Sequence, residues 1–283
     1  MGKLKLAGGC GRVADQDNIP GVTKGVALAG AVRFNMNGNV TNTYKGPVLI
    51  SRSETVTAIL KDIPIEELAK EMFIAVLGRS LNLPIPRPLL VAADNDIIPA
   101  SSAPTHNSRH VLFGSELVGT PSLGQICVNG QTDRVVKELL KRWKTAGQGY
   151  SFDTWTANID RHIHNIMFDG VSDVWLIDHG RTFNKPDGLP PDATGAAIPS
   201  VNRMDQWLIN RLDDNDKSGF ASSIANLTHN AMNIALESVA SACILPKLIG
   251  DNKQKVMIDY LSNRIKFTNS LAGNSSGLSV PLV

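Results

Sequence analysis

Between Ala157 and Phe183 the chain reads ANIDRHIHNIMFDGVSDVWLIDHGRTF, and this stretch leaves little freedom in how it folds. Two short apolar runs, NIMF and VWLI, are separated by DGVSD, a cluster of turn formers. Apolar runs of this length bounded by Asp, Gly and Ser read as strands joined by a turn. A hairpin brings the chain back beside its own start. The polar residues before the first run, Asp160 to Asn165, and those after the second, Asp178-His179-Gly180, therefore emerge at the same end. Any fold that contains this segment has to place two aspartates and an asparagine around one hairpin.

That grouping has a chemistry. Asp160 and Asn165 stand at the D-x-x-x-x-N spacing of a catalytic loop for phosphoryl transfer, and Asp178-His179-Gly180 occupies the place of a metal-binding D-F-G. Phosphoryl transfer asks a protein for positioning and for neutralisation of phosphate charge rather than for covalent work. Mg²⁺ is a hard cation that takes oxygen ligands, often one or two from protein. Asn165 offers an amide oxygen and Asp178 a carboxylate, which leaves Asp160 to hold or deprotonate an acceptor hydroxyl. Each residue alone reads as a loop ion pair or a turn former; their combination at this spacing carries the functional reading. His162, His164 and His179 could suit zinc, but the order of residues matches the loop without it and no cysteine lies nearby.

The rest of the chain supplies a setting. Residues 21–61 are β-rich: VALAGAVRF, GPVLIS and TVTAILK are broken by Asn, Gly and Ser clusters. IPIEELAKEMFIAVLGRSL then has Leu68, Met72, Ile74, Ala75, Leu77 and Leu81 at helical spacing, starting after Pro64 and stopped before Pro84–Pro88. PLLVAAD and HVLFGSELVG read as further strands, and from Thr132 to Phe267 the pattern is mainly helical apart from the NIMF–VWLI hairpin. The expected class is α+β, with a small β-rich part carrying one helix, a linker, and a larger, mainly helical part. The expected boundaries are 1–118 and 119–267, with 268–283 a small, polar, non-periodic and mobile tail.

The motif N-x-D-R-H-x-x-N followed by W-L-I-D-H-G-x-x-F resembles the signature of HipA-like kinases and, more distantly, of phosphatidylinositol kinases. Asn158, Asp160, Arg161, His162, Asn165, Asp178, His179, Gly180 and Phe183 all match. Upstream, AILK and EMFIAVLGRSLNLPIP are similar to the family's strand lysine and to its helix ending in G-L-P-V-P, with Asn82 in place of the usual Gly. The resemblance implies a two-lobed protein-kinase-like fold that uses ATP and Mg²⁺. Lys61 becomes the lysine on the α- and β-phosphates and Glu71 its ion-pair partner, acting with Asp160. Glu116, Leu117 and Val118 would offer backbone groups to adenine. Glu66 and Glu67, nearer the helix start, would mainly serve the helix dipole and face solvent. No glycine-rich phosphate motif is present; by position, residues 37–46 (NGNVTNTYKG) are the candidate, with Thr41, Thr43 or Lys45 on phosphate, and a plain surface turn is the competing reading.

The implied activity is transfer of the γ-phosphoryl group to a Ser/Thr hydroxyl of a protein partner or of the chain itself. A cognate inhibitor or antitoxin is a further implied partner. A lipid or small-molecule kinase, a nucleotidyl transferase and a nucleotide-binding pseudokinase are the rivals; Lys61, Asp160, Asn165 and Asp178 are all present, against the last. Net charge is +2, which announces no nucleic acid, and no apolar run has the length of a membrane span. Three scattered cysteines, a start without a long apolar core, and Leu6 where a myristoylation site prefers Ser or Thr point to the cytoplasm.

Overall fold

The computed structural model describes residues 19–34, 41–119, 121–127, 132–168, 174–185 and 187–281. The architecture mixes α and β. Strands β1 (Thr23–Ala27), β2 (Val32–Arg33), β3 (Asn42–Ser51) and β4 (Glu54–Asp62) come first, followed by helix α1 (Ile65–Ser80). Then come β5 (Pro88–Ala93), β6 (Thr105–His106) and β7 (Arg109–Glu116). Helices α2 (Leu123–Ile126), α3 (Thr132–Arg142) and α4 (Ala146–Thr156) precede the hairpin β8 (Ile166–Phe168) and β9 (Val174–Leu176). The chain ends in α5 (Met204–Trp207), α6 (Asp214–Met232), α7 (Leu236–Ala242), α8 (Leu245–Arg264) and α9 (Thr268–Ser276). No helix among the described residues is long and apolar enough to cross a membrane.

The β-rich part is a closed ring. β1 pairs with β5 in parallel and with β3 antiparallel, so the order β1-β5-β7-β4-β3 returns to its start, with β2 and β6 attached outside. Closure removes the strand edges that an open sheet would have to protect. The inward positions are Ala27, Tyr44, Val48, Ala58, Leu60, Leu89, Val91 and Leu112, all buried. A ring of only five strands leaves little room inside, and Gly114 shows it: a Cβ there would sit 3.0–3.1 Å from Leu89, Val91 and Leu60. Sequence alternation predicts strands but not their closure, because β1 has to pair on both sides at once.

Asp62 ends the inward row of β4 and stays ionised by capping the loop that follows β5. Its carboxylate accepts from the amides of Ser101, Ser102 and Ala103 at 2.7–2.9 Å and from Asn42 Nδ2 at 3.3 Å. Burial opposes the charge, but these donors outweigh it and hold the carboxyl below its ordinary range.

Helix α1 does not belong to the barrel's core. From Leu68 to Gly78 every residue is buried, so the helix is covered all round rather than on one stripe. It packs on β5 and β7 on one side and on α7 and α8 on the other. Its side chains share one continuous core with α3–α9, while the barrel interior forms a separate cluster. The start follows Pro64, with Glu66 and Glu67 in the first turn and Arg79 in the last, as the helix dipole favours.

From sequence, residues 268–283 form a mobile tail; the structure instead folds Thr268–Ser276 into α9 against α4 and α6. Thr268 and Ala272 are fully buried and Ser275 bonds Asp205. Small residues allow close approach between helices, yet they register weakly in a hydropathy pattern.

Replacing Asp62 with Ala should lower unfolding free energy by about 2–3 kcal/mol, since it strands several donors at once. The folded-state value is depressed, so the Asp62 contribution is complete above about pH 4 and is lost as the pH falls through the folded value. Urea unfolding of wild type and Asp62→Ala at a series of acidic pH values measures both effects.

Candidate active site

Helix α4 ends at Thr156, and Ala157 turns the chain with a left-handed φ of 50°. Asn158 fixes the exit: its Oδ1 accepts from the Asp160 amide at 3.1 Å and its Nδ2 donates to Asp153 Oδ1 at 3.1 Å. A single 3₁₀ turn, Ile163–Asn165, follows, capped by His162 Nδ1, which accepts from the His164 amide. Asn165 Nδ2 donates to the Asp160 carbonyl at 2.9 Å. β8 and β9 then pair as expected, Ile166 opposite Leu176, and the Ile177 amide bonds the Asn165 carbonyl at 3.2 Å. The turn joining these strands lies outside the described residues.

Arg161 binds this arrangement together from beneath. It has no solvent exposure and forms a two-pronged pair with Asp153, Nε to Oδ2 at 2.8 Å and Nη2 to Oδ1 at 3.1 Å. Nη1 donates to the carbonyls of Asn165 and Ile177, and Nη2 lies 3.1 Å from His179 Nδ1. One guanidinium thus touches α4, the loop before β8 and the loop after β9. Burial and the adjacent guanidinium keep His179 neutral, with its pKa well below the ordinary value.

Asp178 follows β9 with φ 62°, a left-handed conformation that is uncommon for a residue with a Cβ but that Asp adopts more readily than most. That conformation faces its carboxylate to the barrel. Lys61 Nζ lies 2.5 Å from Glu71 Oε1 and 3.1 Å from Asp178 Oδ1, so strand, helix and loop meet at one ammonium. The other Glu71 oxygen accepts from the His179 amide at 2.8 Å. Burial alone would lower Lys61, but Asp178 and Glu71 hold it above the ordinary lysine value. Burial likewise works against the Asp178 charge, yet Lys61 keeps that carboxyl well below the usual range. Glu71, with no exposed side-chain surface, is the member that gives way: burial pushes it up to about 7 against the pull of Lys61.

The oxygen donors suit Mg²⁺. With its amide nitrogen held by the Asp160 carbonyl, Asn165 is left with Oδ1 as a free oxygen ligand. Asp178 is bonded to Lys61 through one oxygen and its side chain is 39% exposed, so the carboxylate is open to a ligand. Among the described residues, no cluster of three or more His, Cys, Asp or Glu is placed to hold a metal.

The barrel face beside Lys61 is set by register. Thr43 lies directly opposite Lys61, and Lys45 opposite Ile59, so Thr43 and Lys45 share the Lys61 face. Thr43 is buried and its hydroxyl bonds the Thr41 carbonyl at 3.3 Å. The part of the expected phosphate loop from 37 to 40 lies outside the described residues; from Asn42 to Gly46 the segment is not a loop but the start of β3, paired with β4. Phe113, opposite Lys61 on the other neighbour, puts its ring 5.8 Å below Nζ.

Of the backbone groups expected to meet adenine, the Glu116 and Leu117 amides are already bonded to the carbonyls of Arg87 and Thr57, and the Glu116 carboxylate pairs with Arg87. Among the described residues, the Val118 amide is the one of the three without a partner. Glu67 does not simply face solvent: a Cβ on Gly180 would lie 3.0 Å from its Oε1, and burial beside the loop raises its carboxyl. Glu66 is tied to Lys253 of α8 at 2.5 Å rather than being free. Sequence also gave no notice of Asp153 and Arg203. Asp153 carries a weak signal, the one charged residue in the run from Tyr150 to Thr156; Arg203, whose Nη1 reaches Asp160 Oδ1 at 2.9 Å, carries none.

No protein-family model matches this sequence, and no curated protein matches it.

Two measurements probe the site without assuming its reaction. Asp153→Ala should cost about 3–5 kcal/mol in denaturant unfolding because it leaves Arg161 buried and unpaired, and Asp153→Asn should cost less. Glu71 has a raised folded-state pKa, so its contribution is complete below about pH 4.5 and is lost as the pH rises through about 7. His179, held neutral, works in the opposite sense below its ordinary value. The informative quantity is therefore the difference between wild type and Glu71→Gln. Wild-type stability should fall relative to the variant as the pH rises across that window.

Proposed function

We propose that this chain is an ATP- and Mg²⁺-dependent phosphotransferase of the HipA-like kind, transferring the γ-phosphoryl group to a Ser/Thr hydroxyl of a protein or of itself. The observation that carries this reading is the convergence of Lys61, Glu71 and Asp178, with Asp160 and Asn165 on the adjoining loop. In this reading Lys61, oriented by Glu71, pairs with the α- and β-phosphates, and Thr43 and Lys45 lie on the same strand face. Adenine would sit near Val118 and above Phe113. Asn165 and Asp178 would hold Mg²⁺, which supplies charge neutralisation between the phosphates. Asp160, with its side chain 29% exposed, can reach an incoming hydroxyl and accept its proton.

The same reading treats the barrel with α1 as the smaller lobe and the region from residue 119 as the larger. A closed barrel, and an α1 shared with the C-terminal helices, depart from two lobes that meet only across a cleft. The proposal accordingly rests on the site and not on fold likeness. A cytoplasmic setting and an inhibitory partner belong to the same proposal.

Incubation with γ-labelled ATP and Mg²⁺, followed by intact-mass analysis of the chain and of candidate acceptors, should give a gain of one phosphate. Asp160→Ala should slow transfer by about 10²–10⁴ while nucleotide affinity stays near wild type. Asp178→Asn should lose both Mg²⁺-dependent nucleotide binding and transfer. A gain of a nucleotide mass instead of phosphate would make the chain a nucleotidyl transferase, and nucleotide binding without any transfer would make it a pseudokinase.

A further inference from the structure

Asp160 is held from outside its own loop. Its Oδ1 forms an ion pair with Arg203, with Nη1 at 2.9 Å, whereas the ring nitrogen of its own loop, His162 Nε2, is 3.9 Å from Oδ2. Lys61 is already engaged by two carboxylates. Among the described residues, Arg203 is the cation whose charge is directed at Asp160.

The backbone that carries Arg203 is fastened on both sides. Buried Asn202 donates to the Tyr150 carbonyl and to Thr154 Oγ1 at 3.0–3.1 Å, and accepts from the Met204 amide. Trp207 Nε1 donates to the carbonyl of Arg161 at 3.0 Å. From α8, buried Arg264 donates to the carbonyls of Ala196 and Ile198 and to Ser200 Oγ, each at 2.8 Å. The Arg203 side chain itself is 44% exposed, and its remaining N–H groups have no partner among the described residues. An ion pair this exposed adds little to stability.

A group that takes a proton from an acceptor hydroxyl has to lie close to the phosphoryl group that hydroxyl attacks. Both are anionic, and they repel unless a cation sits between them. A planar guanidinium with five donors can serve a carboxylate and a phosphoryl oxygen together. We propose that Arg203 is a catalytic residue that bridges Asp160 and the phosphoryl group in transfer. This rests on the phosphotransferase reading above. The acceptor oxygen bonds to the γ-phosphorus as the bond from that phosphorus to the bridging oxygen breaks. The hydroxyl proton goes to Asp160, ADP departs with the electron pair, and Arg203 donates to a non-bridging oxygen of the moving group.

The test uses the full chain, with calorimetry on ADP and on a non-hydrolysable ATP analogue, and single-turnover transfer from γ-labelled ATP. Arg203→Ala should keep ADP affinity within about twofold, weaken the analogue about tenfold and slow transfer about 10²–10³-fold. Arg203→Gln keeps a polar side chain with N–H donors but removes the charge and should be equally slow, whereas Arg203→Lys should recover part of the rate. If Arg203→Ala does not fold, the Gln and Lys variants decide. Transfer at wild-type rate in Arg203→Gln, equal losses for ADP and the analogue, or faster transfer in Arg203→Ala would each overturn the proposal while leaving the phosphotransferase reading standing. A wild-type chain that binds neither nucleotide overturns both.

Discussion

A guanidinium with no access to water has to find a carboxylate and further acceptors inside the protein, and Arg161 finds all of them within the site. Its pair with Asp153 anchors the loop that carries Asp160 to helix α4. Its bonds to the Asn165 and Ile177 carbonyls hold the two arms of the hairpin at a fixed spacing. Its contact with His179 reaches the loop where Asp178 adopts its left-handed conformation. The positions of Asp160, Asn165 and Asp178 relative to one another therefore depend on one buried cation. Such a network specifies geometry more than it adds stability, since a buried ion pair gains little over a well-packed apolar substitute.

The second constraint is helix α1. A helix buried on every side is expensive to build with polar residues, yet Lys70 and Glu71 both lie fully inside. Glu71 is satisfied by Lys61 and the His179 amide, so the helix, the barrel strand β4 and the hairpin loop are joined by the same carboxylate. Lys70 reaches the Lys185 carbonyl, and burial lowers its pKa. Because α1 packs on α7 and α8 and Glu66 reaches Lys253, Glu71 is held in place from behind by the C-terminal helices. The barrel contributes Lys61 at a defined register, and α1 sets the partner it meets.

Much of this was legible in the sequence where the signal is local. The hairpin from Ile166 to Leu176, the helix beginning after Pro64 and the strands around Lys61 follow from alternation, proline placement and turn residues, which act over a few positions. Asp160, Asn165 and Asp178 were legible because a hairpin converts sequence spacing into spatial proximity. The tail does not read as a helix because α9 is made of small and polar residues and packs on α4 and α6, a fit that depends on the neighbouring helices rather than on its own hydropathy.

By itself, the sequence determined most of the local elements, α9 excepted, and the residue types on which the phosphotransferase proposal rests, since both are fixed by short-range patterns and by side-chain chemistry. The tertiary structure alone decided that five strands close into a ring and that α1 shares its core with α7 and α8. It also decided that Glu67 lies against Gly180, that the Glu116 and Leu117 amides are already spent, and that Arg203 reaches Asp160. These contacts join residues far apart in the chain. Nothing local in the sequence encodes a distance that only the packed core brings within reach.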